Sequence, residues 1–142
     1  MATGEPTPSL TAERTGPKTY TARNDRGAEV VMGSPGAEGC FTPVELLQAA
    51  VAGCTALSAE AQLAYSLGDD FEATATVEAL LDSEENRIDE LITRIDADMS
   101  GLAPERRDRL IASAERFIAR LCTVKRTLEH GTENTTEVRN QG

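Results

Sequence analysis

Tryptophan is absent and aromatic residues make up only 4% of the 142 residues. The core must therefore be built from Ala, Leu, Val and Ile, and small side chains favour close helix approach. Histidine occurs once, as His130, its only nearby acids are Glu129 and Glu133, and no Cys-x-x-Cys pair is present. Neither a zinc site nor any other metal centre is expected, and with no Gly-rich phosphate loop after a strand, no bound cofactor is expected either. No apolar run approaches the ~20 residues of a membrane span, and the first ten residues lack the basic and apolar regions of a signal peptide. Positive charge is scarce, 14 Lys and Arg against 24 Asp and Glu for a net charge of −10. Such a surface repels a phosphate backbone and an anionic membrane face, so neither nucleic acid nor membrane is an expected partner. The three cysteines are odd in number and lack the spacing of a disulfide-stapled secreted module. Reduced thiols and a cytoplasmic location are expected, and the Asn134-Thr135-Thr136 glycosylation match reads as accidental.

What is present fits one soluble domain, with 39% apolar and 27% charged residues. Residues 1–8, with two prolines and no periodic apolar pattern, read as a mobile tail, and residues 9–142 as a single domain. Strands are predicted over 18–24 and 28–32, separated by the turn-like Asn24-Asp25-Arg26-Gly27, with a weaker one over 9–15. Residues 33–41 form a loop. Thr42 as N-cap, Pro43 at the first helical position and Glu45 three residues after the cap then make a capping box. That helix should run to Leu67 and stop at Gly68. Between Leu46 and Ala59 its only strongly polar side chain is Gln48, so it has no obvious solvent face, which hints at two copies packing together. Residues 71–81 alternate with Phe71, Ala73, Ala75, Val77, Ala79 and Leu81 on one face, and after a turn at 83–86 the alternation resumes from Leu91 to Met99, giving a hairpin. Pro104 opens a second amphipathic helix through Leu110, Ile111, Ala114, Phe117, Ile118 and Leu121, a buried face that Cys122 joins by spacing. Residues 132–138 are expected to close the chain as an edge strand.

The cysteines carry the chemistry. Cys54 follows Leu47, Ala50 and Val51 by seven, four and three residues, on an apolar stripe of the long helix. A buried cysteine is most often a small hydrophobe, and a reactive one must ionise at neutral pH from a free pKa of about 8.5. Its own helix dipole gives no help, since Cys54 lies about three turns from the N-terminus. A cation is expected to be supplied from elsewhere, and the candidates are Arg23, Arg26, Lys125 and Arg126. Cys40 is separated from Cys54 by roughly 18 Å of helix rise, beyond the ~7 Å Cα limit of a disulfide, and reads as a loop residue.

Phe41-Thr42-Pro43-Val44-Glu45-Leu46-Leu47, Ala52-Gly53-Cys54-Thr55 and Leu121-Cys122-Thr123-Val124-Lys125-Arg126-Thr127-Leu128 resemble the OsmC/Ohr family, over about residues 9–139. The resemblance implies a mixed α/β (α+β) two-layer fold, with antiparallel strands around a long central apolar helix, in an intertwined homodimer with active sites at the subunit interface. It implies thiol peroxidase activity, in which Cys54 attacks an organic hydroperoxide, becomes a sulfenic acid and condenses with Cys122 to a disulfide that a small-molecule or lipoyl-type dithiol reduces. In the family's peroxidase branches a glutamate directly after the proline partners an arginine from the N-terminal strands. Here Val44 holds that place and Glu45 lies one residue later, about 100° around the helix, while Arg23 and Arg26 both lie where the arginine would arise. The second motif usually continues with proline, where this chain has Thr123. The sequence is thus similar to the broad OsmC-like branch rather than to the well-defined peroxidases. The rival expectation is a non-enzymatic dimer that binds a small apolar ligand, with the cysteines as packing or redox-sensing residues.

Overall fold

A computed structural model describes residues 3–142; residues 1 and 2 of the expected tail lie outside the described residues. The N-terminal half opens with an antiparallel meander of β1 (Thr11–Gly16), β2 (Thr19–Arg23) and β3 (Glu29–Met32). Its β2–β3 turn is closed by Asn24, whose side-chain oxygen accepts from the backbone N–H of Arg26 and of Ala28, both at 3.0 Å. Gly27 follows with φ 91°, a left-handed conformation that glycine adopts at no steric cost.

The long helix α1 (Pro43–Leu67) forms where the capping box places it. The Thr42 hydroxyl accepts from the Glu45 N–H at 3.1 Å, and the Glu45 carboxylate accepts from the Thr42 N–H at 2.8 Å, so two orphan donors are satisfied reciprocally. Gly68, at φ 98°, ends the helix and donates its N–H to the Ala64 carbonyl. Gln48, the polar exception in the apolar stretch, donates to the Val77 carbonyl at 2.8 Å and ties α1 to the hairpin of β4 (Ala73–Asp82) and β5 (Arg87–Ala97). The alternation read from sequence holds along most of that hairpin and fails at its tip. The register shifts between Leu80 and Leu81, and Leu81, expected on the buried face, is 61% exposed, as a bulge that re-aims a side chain produces.

The helix α2 (Pro104–Leu121) lays Leu110 and Ala114 against Ala59 and Leu63 of α1, with Phe71, Ile95, Met99 and Ile118 packed around them. The predicted apolar arc of α2 is only partly covered, because Ile111 and Leu121 stay exposed. Leu63 is central to this seam. Leu63→Ala is expected to cost about 2–5 kcal/mol in urea unfolding; a loss below about 1 kcal/mol would show that the seam between α1 and α2 is not the core.

Toward the C-terminus one expectation holds and one is corrected. Cys122 ends α2 and is fully buried, as its spacing predicts. It is the junction after which the short α3 (Thr123–His130) begins, an element the sequence reading lacks. Residues 131–142 contain no strand among the described residues, against the expected edge strand over 132–138. That stretch offers a single large apolar side chain, Val138, which is 97% exposed, so no alternating face is available to dock on a sheet.

The chain leaves much of its apolar surface uncovered. It exposes 11421 Å², whereas about 7,100 Å² is expected for a compact monomer of 15.2 kDa. On α1 the buried row is Val51, Thr55, Ala59 and Leu63. The opposite row, Ala50, Gly53, Leu57, Ala61 and Tyr65, faces outward, with Leu57 75% and Tyr65 91% exposed. The helix without a polar face read from sequence is therefore one that this chain buries on one side only.

Candidate active site

Cys54 stands one residue before the buried Thr55, which places it about 100° around α1 from the centre of the covered row. It is partly buried, at the border between the packed face and the bare one. Cys122 is fully buried at 0% exposure. Its N–H donates to the Ile118 carbonyl at 3.0 Å, closing α2, and its own carbonyl accepts from the Arg126 N–H at 3.0 Å, opening α3. With φ −74° and ψ 95° it breaks the helical run between them, so the backbone turns and α3 packs against α1. This turn sets the Cys122 sulfur 3.8 Å from the hydroxyl of Thr55, the residue next to Cys54, across the 67 residues that separate the two cysteines in sequence.

The Cys54 thiol is held below its ordinary pKa, chiefly by the backbone N–H of Val124. Burial opposes the shift, and the Cys122 thiol, the Thr123 N–H and the Ser58 hydroxyl add to it. The physical cause is plain from α3. The first N–H groups of any helix lack intrahelical acceptors, and at this N-terminus no side chain caps them. Two of those orphan donors, of Val124 and Thr123, instead lower the Cys54 pKa, and the dipole of α3 favours negative charge there as well. Its own helix dipole gives Cys54 no help, as expected; the dipole that does belongs to α3, a helix absent from the sequence reading. Within one chain, neither Arg23, Arg26, Lys125 nor Arg126 is among the groups that lower the thiol.

Each of those cations has other partners. Arg23 pairs with Glu29 at 3.0 Å and with Glu13 at 3.8 Å within the N-terminal sheet. Arg26 pairs with Asp25 in the β2–β3 turn, Lys125 pairs with Glu129, and Arg126 donates to the Ala119 carbonyl. Glu45 is engaged at the N-cap, nine residues before Cys54 or about 13 Å along the helix, and Val44 beside it is exposed. Within one chain the structure thus brings together Cys54 and Cys122 but not Glu45, Arg23 or Arg26. Cys40 packs in the loop against Gly33, where an added Cβ would lie 3.1 Å from its Sγ.

Sequence reasoning missed Thr55. Its hydroxyl lies 3.8 Å from the Cys122 sulfur, and either of the two can donate. A buried hydroxyl in an otherwise apolar row with Val51, Ala59 and Leu63 is the signal that pointed to it. Thr55 also lines a cleft of about 1200 Å³ between α1, β5, α2 and α3, walled by Leu47, Leu91, Ile95, Ile118 and Leu128. No cluster of metal-ligating side chains occurs among the described residues.

A buried thiol paired with a partly exposed, acidified one, on a two-sheet α+β frame around a long helix, defines a dithiol protein of a particular fold. The sequence model for OsmC-like proteins matches residues 36–137, and the chain belongs to that family. It is 39% identical over 129 residues to an uncharacterised protein of Mycobacterium tuberculosis strain H37Rv, covering 91% of this chain and 94% of that one, and equally to one of Mycobacterium bovis. Among solved structures, the organic hydroperoxide resistance protein OhrB of Bacillus subtilis superposes with a TM-score of 0.52 at 20% identity, covering 84% of this chain and 88% of that one. A hypothetical protein of Aquifex aeolicus superposes with a TM-score of 0.62 at 13% identity, covering 90% and 91%. These likenesses establish the mixed α+β fold with its two antiparallel sheets. None of the helices is long and apolar enough to cross a membrane among the described residues.

Proposed function

We propose that this protein is a thiol-dependent peroxidase that reduces organic hydroperoxides, working as a homodimer. The observation that carries the reading is the Cys54 thiol, held below its ordinary pKa, next in sequence to Thr55, whose hydroxyl lies 3.8 Å from the sulfur of the fully buried Cys122. The Cys54 thiolate attacks the distal oxygen of the hydroperoxide, the O–O bond breaks, and the alkoxide leaves and is protonated to the alcohol, so Cys54 becomes a sulfenic acid. The Cys122 sulfur then attacks the Cys54 sulfur, the hydroxyl departs as water, and a disulfide forms. A dithiol supplies two electrons and two protons to restore both thiols. The apolar neighbours of Cys54 on α1, Val51 and Leu57, favour substrates with a hydrocarbon body over hydrogen peroxide.

The dimer is supported by surface. The bare row of α1 borders Cys54, and a second copy laid on Leu57 and Tyr65 would cover that apolar face and close the thiol away from water. The same reading gives Arg23 or Arg26 of a second copy a route to the site that one chain does not offer.

The pH profile tests the mechanism. Only the thiolate attacks, and the folded Cys54 pKa is lowered, so the rate of reaction with an organic hydroperoxide rises with pH and reaches its plateau earlier than an ordinary thiol near 8.5 would. Thr123→Pro keeps α3, because proline is tolerated at the first helical position, but it removes one N–H from Cys54. The variant is expected to react several-fold more slowly near pH 6 and almost normally near pH 9. An unshifted profile would show that the Thr123 N–H does not hold the thiolate and that the Val124 N–H carries the shift.

The cleft also favours a second reading, a dimer that binds a small apolar ligand without turnover. It requires Cys54 to resist alkylation below pH 7, where an acidified thiol is alkylated quickly.

A further inference from the structure

Positive charge is concentrated in one part of an acidic chain. Residues 104–130 carry seven Lys and Arg against four Asp and Glu, a net +3, which leaves −13 for the remainder of a chain at −10. Within α2, Arg106, Arg109, Arg116 and Arg120 fall within about 80° of arc at 100° per residue, a stripe along one flank of the helix that includes Ser113, which donates to Gln62 of α1 at 3.1 Å. All four are exposed. None of the four makes an ion pair among the described residues, although Arg107 beside them pairs with Asp108 at 3.3 Å. Arg126 extends the stripe by donating to the Ala119 carbonyl in the last turn of α2.

Local physics opposes this arrangement. Arg106 and Arg109 stand in the first two turns, where the positive end of the helix dipole disfavours cations. The pairs Arg106/Arg109 and Arg116/Arg120 are spaced at three and four residues, where like charges repel. A chain with 24 carboxylates had ample means to neutralise them. Departures from local rules without a local gain are expected where a surface has a task.

We infer that the arginine stripe of α2 is a docking surface for an acidic protein segment. From Arg106 to Arg120 the stripe spans about 21 Å, longer than a phosphate or a carboxylate metabolite, so its occupant presents several carboxylates in a row. Nucleic acid and anionic lipid are broader, uniformly charged surfaces that would also meet the −13 carried by the rest of the chain. A narrow acidic segment touches the stripe alone. The stripe ends at Arg120, two residues before Cys122 in sequence.

The test is fluorescence anisotropy with the full chain and a labelled peptide of about seven residues alternating Glu and Gly, whose extended length of about 3.3 Å per residue matches the stripe. Saturable binding at about 20 mM salt, weakened on raising it to about 200 mM, is expected. Arg116→Glu with Arg120→Glu, and separately Arg106→Glu with Arg109→Glu, should each weaken binding about tenfold or more. Arg14→Glu with Lys18→Glu, the same change in net charge placed on the N-terminal sheet, should change it less than about twofold. Circular dichroism shows that each variant folds, which exposed positions permit. No saturable binding, equal loss in the N-terminal control, or tighter binding to phosphatidylglycerol vesicles or to duplex DNA than to the peptide would each overturn the assignment.

Discussion

Cys54→Ser is expected to lower organic hydroperoxide consumption by about a thousandfold or more, because removing the attacking sulfur removes the only covalent route through the site. Cys122→Ser separates the two halves of the cycle. Its first turnover should proceed, with one equivalent of alcohol released and Cys54 accumulating as a sulfenic acid that a dimedone probe traps, while steady-state turnover fails for want of a resolving thiol. Wild-type consumption by Cys54→Ser would remove the enzyme reading altogether. Normal steady-state turnover by Cys122→Ser would leave Cys54 as the attacker but assign its resolution to an external thiol. The buried position of Cys122 beside the Thr55 hydroxyl argues that this sulfur is reserved for an internal partner, since solvent-borne thiols have poor access to it.

Leu57→Glu is expected to dissociate the dimer. Leu57 sits three residues after Cys54 on the bare row of α1 and is 75% exposed in the single chain. In a dimer formed on that face, a carboxylate at this position would be desolvated in each copy without a partner, a cost of several kcal/mol. The dimer dissociation constant should rise by at least about a hundredfold, since each 1.4 kcal/mol is worth a factor of ten. Light scattering after size exclusion would then report a mass near that of two chains for the wild type and one chain for the variant. A wild type that is monomeric at tens of micromolar concentration would contradict the assembly, and so would a variant that stays dimeric.

The frame was legible where local chemistry is decisive. The capping box and Gly68 set both ends of α1, and period-two alternation found the hairpin. What escaped depended on tertiary placement. Cys122 continues the apolar spacing of α2, and periodicity alone does not show that its backbone turns away there to start α3. Thr123 to His130 has mostly polar residues and no side-chain cap, and no sequence rule marks such a short helix strongly. The dipole at Cys54 escaped for the same reason. Distance along α1 from its own N-terminus is visible in sequence, but the arrival of another helix's N-terminus is not. Residues 132–138 drew a strand reading from their threonines, and propensity without an apolar face to bury was too weak to form one.

The measurement that bears most directly on the thiol pair is intact mass. The reduced protein is treated with about one equivalent of an organic hydroperoxide, the remaining thiols are blocked, and any new disulfide is located by peptide mapping. Loss of two hydrogens within the reaction time, mapped to a Cys54–Cys122 bond while Cys40 takes the block, is the expected result. A protein that keeps both thiols free, or that oxidises first at Cys40, would contradict it and favour the ligand-binding reading.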